Sequence, residues 1–78
     1  MENKILITVN IPRSETKYEI FVPVGKTVFH IFELVEQNLS EVDDEQYISV
    51  YNEAGILINP NVLIKDSGLI NGSNVIII

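Results

Sequence analysis

The chain has 78 residues, enough for one small domain, so residues 1–78 are read as a single fold. Its formal charge of −6, from 11 acidic against 5 basic side chains, argues against a phosphate backbone as partner and leaves a basic protein face, or solubility alone, as the use of the charge. With no cysteine, disulfide staples, thiolate metal sites and cysteine-ligated iron–sulfur clusters are excluded, and no cofactor is expected.

The elements read in order along the chain. "KILITVNI" alternates, with Ile5, Ile7, Val9 and Ile11 on one face and Lys4, Thr8 and Asn10 on the other. Period two marks a half-buried strand. Leu6 is the apolar exception on its outer face. Pro12 stops the pairing, "PRSE" turns, and "KYEIFVPV" alternates again, with Tyr18, Ile20 and Val22 inward and Lys17, Glu19 and Phe21 outward. The two runs make a hairpin.

"VFHIFELVEQNL" opens on β-branched and aromatic residues, which are weak helix formers. Its periodicity outweighs that. At 100° per residue Val28, Ile31, Phe32, Val35 and Leu39 form one stripe, with His30, Glu33, Gln37 and Ser40 opposite. The pattern predicts a helix from Val28 to Leu39, with Thr27 as its N-cap. Packing rather than propensity must hold it.

After the acidic "SEVDDEQ", "YISVYNEAG" predicts a third strand, with Ile48 and Val50 inward, Ser49 and Tyr51 outward, and "NEAG" as its turn. "ILI" is a short extended piece. A loop follows, with one helical turn expected near Val62 to Lys65. "NVIII" is the last strand, placing Val75 and Ile77 under the helix and Ile76 and Ile78 on the outer face. The order β-β-α-β-(β)-β is the β-grasp arrangement: an α+β fold with a mixed sheet of four to five strands on one main helix. Its first and last strands lie side by side as a parallel central pair.

Two stretches carry a family resemblance. "VLIKDSGLINGSNVIII" resembles the closing segment of ubiquitin, and "VPVGKTVFHIFELV" resembles its strand-to-helix entry. The resemblance is closer to the YukD/EsaB group of small bacterial ubiquitin-like proteins, through "YISVYNEAG", "DSGLINGS" and an end at the final strand. That group accompanies type VII secretion systems. The resemblance implies a cytoplasmic, non-enzymatic accessory or regulator that docks on a cytosolic part of the secretion apparatus.

The chemistries known on this fold can be tested on the residues. Conjugation and sulfur transfer both require a flexible Gly-Gly tail whose carboxylate is activated. Here the last glycine is Gly72 and the last residue Ile78, so the expectation is a protein that is not conjugated. The alternative is a covalent modifier or sulfur carrier needing a tail not present in this sequence. RNA binding would want a basic, aromatic-bearing face, and Lys4, Arg13, Lys17, Lys26 and Lys65 are scattered.

Three further motifs have plainer explanations. "VGKT" echoes the end of a phosphate-binding loop, but the motif's first glycine would fall at Ile20, inside a strand. His30, the one histidine, has no cysteine or catalytic acid at a useful spacing and reads as a solvated helix residue. Glu41, Asp43, Asp44 and Glu45 lack the glycine and alternate spacing of a calcium loop, and read as a solvated loop or a contact for a basic partner.

No apolar run approaches the ~20 residues that span a bilayer. The start, "MENKILITVN", lacks the basic and apolar regions of a signal peptide. A cytoplasmic protein without membrane insertion is therefore expected. Ubiquitin-like domains commonly bind through the open face of the sheet, and Tyr51 resembles the counterpart of the apolar anchor on ubiquitin's third strand. Leu6, Tyr51, Ile76 and Ile78 are the expected partner-binding residues. A homodimer through the same face, and no interface at all, are the other two readings.

Overall fold

The computed structural model describes residues 3–12, 15–38 and 49–78. Strands β1 (Lys4–Ile11) and β2 (Thr16–Pro23) form the hairpin, followed by helix α1 (Phe29–Asn38). Strands β3 (Val50–Asn52) and β4 (Leu57–Ile58), a 3-10 turn (Ile64–Asp66) and strand β5 (Asn74–Ile77) follow. The five strands run in the order β2-β1-β5-β3-β4. β1 and β5 are parallel, with Thr8 beside Asn74 and Asn10 beside Ile76, and every other neighbouring pair is antiparallel. This is the expected β-grasp, with a mixed sheet and a parallel central pair.

Alternation explains which side chains are buried. Ile7, Val9 and Ile11 of β1, Val22 of β2, and Val75 and Ile77 of β5 are all fully buried. Ile31, Phe32 and Val35 of the helix, with Val28 just before it, join them in the core. Ile5, Tyr18 and Ile20 close the margin of this core as half-buried residues. Ile64, at the 3-10 turn, and Leu69 fill the space beneath the loop before β5. The helical stripe read from the sequence is therefore the core stripe, save Leu39, which lies outside the described residues. So does Ile48.

The helix begins one residue later than its periodicity suggests. Val28 donates its N–H to Val62 O at 2.9 Å, and Phe29 donates to Pro60 O at 3.0 Å. A helix start leaves its first N–H groups without intrahelical partners. Here the Pro60–Leu63 loop supplies two of the acceptors, and Thr27 is held in a backbone bridge to Leu63 while its carbonyl accepts from His30 N–H at 2.9 Å. The cap thus comes from a segment more than thirty residues away in sequence, which local reading cannot supply.

Asparagines set the turns. Asn52 Oδ1 accepts from the N–H groups of Ala54 and Ile56 at 2.9 and 3.0 Å, and Gly55 at φ 81° completes the "NEAG" turn. Asn71 Oδ1 accepts from Leu6 N–H at 2.8 Å, and Gly72, at φ 92°, donates to Leu6 O at 2.7 Å. Those two bonds dock the entry to β5 against β1 and set the parallel register.

Two stability changes follow. Ile77→Ala removes a fully buried side chain from the central pair and is expected to cost about 3 kcal/mol in urea denaturation. Gly72→Ala meets no atom within 4 Å, so its expected cost of about 1–2 kcal/mol comes from the left-handed backbone alone. Gly72→Asn should recover part of that loss, since asparagine tolerates this backbone region.

Candidate functional site

α1 covers one face of the sheet, and among the described residues no element covers the other. The alternation that buries Val75 and Ile77 turns Asn74, Ile76 and Ile78 outward. Tyr51 lies directly opposite both Ile76 on β5 and Leu57 on β4. Leu57, Tyr51 and Ile76 therefore form a row across three strands on the open face. Ile78 stands one step beyond Ile76 on the same face, its N–H donated to Ser49 O at 3.1 Å. Leu57 is 57% exposed and Ile78 58%, while Tyr51 and Ile76 are half-buried by their neighbours.

Leu6 is on the same face but elsewhere. The parallel register puts it level with Gly72, which precedes β5 and lies four residues before Ile76, a separation of about 13 Å. Its direct neighbour is Phe21 on β2, which is 64% exposed. Thr8 and Asn74 lie between the two apolar groups, and Asn10 flanks Ile76. The structure thus brings Tyr51, Ile76 and Ile78 together, adds Leu57 to them, and groups Leu6 with Phe21.

Leu57 escaped sequence reading because β4 is two residues long and carries no periodicity. Phe21 was legible as outward, but its pairing with Leu6 depends on the hairpin register.

The other motifs are accounted for by local structure. Gly25 and Lys26 form the turn after β2, with Lys26 N–H on Pro23 O at 3.2 Å and Lys26 O accepting from Ile64 N–H at 2.8 Å. His30 Nδ1 sits 3.1 Å from Glu33 Oε1, one helical turn along the solvent side of α1. Glu41, Asp43, Asp44 and Glu45 lie outside the described residues. Among the described residues no group of three His, Asp or Glu side chains converges as a metal site. No described helix is long and apolar enough to cross a membrane.

A cleft of about 280 Å³ opens between the β3–β4 turn and the loop before β5. Glu53 is its one ionisable lining side chain, and Asn74 Nδ2 donates to Glu53 Oε1 at 3.0 Å.

No family model matches the sequence, and no curated protein sequence does. Solved structures do match. The ubiquitin-like domain of an Arabidopsis thaliana protein superposes with a TM-score of 0.78 at 17% identity, over 97% of this chain and 77% of that one. A chain from a structure concerned with molecular mimicry of SUMO in DNA repair gives 0.85 at 17% identity, over 100% and 94%. A ubiquitin-like protein of Trypanosoma brucei gives 0.73 at 20% identity, over 100% and 96%. Likeness at these identities speaks to architecture, and with the strand order and helix placement above it establishes that the chain has a ubiquitin-like β-grasp fold.

Proposed function

We propose that the chain is a non-enzymatic, non-covalent docking module that engages a protein partner through the open face of the sheet. The observation that carries this reading is the row Leu57–Tyr51–Ile76 with Ile78 beside it, an apolar group on the face that α1 does not cover. Large contiguous apolar patches on small domains usually mark interaction surfaces. Tyr51 provides an aromatic side chain already half-packed by its neighbours, which loses little freedom on binding and suits an anchor role. Leu6 and Phe21 form a second, separate apolar pair at the other end of the face. The fold itself hosts many functions and does not select among them.

The finer part of the proposal makes the partner a cytosolic component of a bacterial type VII secretion apparatus, with this chain as its cytoplasmic accessory or regulator. It rests on the resemblance of "YISVYNEAG" and "DSGLINGS" to the YukD/EsaB group.

The test is capture of tagged protein from its own host, divided between native and denaturing washes. Components of the secretion apparatus are expected under native washing and absent after denaturation. Leu57→Lys and Ile76→Lys should each abolish that capture while circular dichroism shows a folded chain, with stability lowered by no more than about 1 kcal/mol. Undiminished capture by both folded variants would remove the open face as the site. Heavier species that survive denaturation would overturn the non-covalent reading. A specific partner unrelated to secretion would keep the docking role and refute the finer assignment.

A further inference from the structure

β2 is eight residues long and lies at one edge of the sheet. The direction of its free backbone groups can be worked out. Val24 N–H donates to Asn3 O at 3.0 Å, one step beyond the Lys4–Pro23 pair. Antiparallel pairs alternate between bonded and non-bonded, so Ile5–Val22, Ile7–Ile20 and Val9–Tyr18 are the bonded pairs of the hairpin. The other flank of β1 agrees: Thr8 N–H and Leu6 O are bonded toward Ser73 and Gly72. The N–H and C=O groups of Lys17, Glu19 and Phe21 therefore point away from β1. Among the described residues no strand pairs with that edge. A long, regular edge of this kind is a template for another strand.

The side chains on the edge select the strand that fits. A second copy pairing antiparallel about a two-fold axis has few available registers. Centred on Glu19, it sets the two Glu19 side chains directly opposite each other, a like-charge contact. Centred on Ile20, it sets Glu19 against Phe21 and Lys17 against Pro23, which has no N–H to donate. Centred on Tyr18, it sets Lys17 of each chain against Glu19 of the other. Both residues are exposed, and both have free backbone groups, so each pair can exchange two backbone hydrogen bonds beneath one opposite-charge contact. The pairing ends naturally at Glu15, whose φ of 53° breaks the strand and whose N–H is already given to Pro12 O at 3.1 Å.

We propose that β2 pairs antiparallel with β2 of a second copy about a two-fold axis at Tyr18, each Lys17 lying opposite the partner's Glu19. Paired strands in one sheet share their faces. The dimer carries both helices on one side and both open faces, with their Leu57–Tyr51–Ile76 rows, on the other. Two docking patches then look the same way, an arrangement that a partner with repeated sites binds with increased avidity.

Sedimentation velocity across a concentration series tests this. The wild-type chain should self-associate as its concentration is raised. Lys17→Glu and Glu19→Lys should each weaken association by about tenfold or more, since two attractive contacts per dimer become repulsive. The double variant Lys17→Glu/Glu19→Lys should restore it to within about threefold of wild type. Both positions are exposed, and circular dichroism should show all three variants folded. Association that ignores the single reversals, or that the double reversal does not restore, would overturn the proposed register. So would a chain that stays monomeric at millimolar concentration, its β2 amides protected only when an extended segment of another protein is added.

Discussion

The parallel pairing of β1 with β5 is the constraint on which the rest depends. Parallel strands cannot be joined by a tight turn, so everything between them must cross from one side of the sheet to the other. α1 makes that crossing and shields the inner face as it does so. β3 in turn hangs on β5, and β4 on β3, so the sheet has no far half without the central pair. The register is set by Asn71 and Gly72 on Leu6, and enforced by burial. A slip of one residue would bring Ile76 into the core and turn Val75 and Ile77 to solvent.

The same register composes the candidate docking face. Strand geometry allows no choice of side: once Val75 and Ile77 are inside, Ile76 and Ile78 are outside. What is not compelled is that these outward positions be apolar. Thr8, Asn10 and Asn74 show that polar residues are accommodated on this face in the same sheet. An apolar row that the core does not require, on a domain carrying a charge of −6, is the reason to regard the open face as a docking surface. The charged residues of β2 belong to the rim of the sheet instead. Lys17 and Glu19 sit on an edge with which no strand pairs among the described residues, so their charge bears on which strand fits there. Face and edge are thus two surfaces with different chemistry, one apolar and one polar, and neither obstructs the other.

The fold was largely legible because its signals are local and periodic. Alternation in "KILITVNI" and "KYEIFVPV" specified two strands and the side each residue would occupy. A 100° stripe from Val28 to Val35 outweighed weak helix propensity, since burial of a continuous apolar stripe stabilises a short helix more than propensity differences oppose it. The central placement of β5 followed from the β-β-α-β-(β)-β order, in which the first and last strands pair in parallel. The helix entry was less legible: its N–H groups are satisfied by Pro60 and Val62, and no window around Thr27 contains those acceptors.

The candidate site divides along the same line. Where a strand is long enough to show alternation, as in β1, β2, β3 and β5, the sequence by itself determined which residues face outward, because period two needs no neighbouring strand. Which outward residues stand together is a matter of register between strands distant in the chain, and only the tertiary structure decided it. That is why Tyr51 meets Ile76 and Leu57, while Leu6, outward by the same alternation, falls about 13 Å away beside Phe21. The place of β2 at the edge followed from the hairpin and the parallel central pair, but the direction of its free backbone groups is a matter of hairpin register, which only the tertiary structure decided.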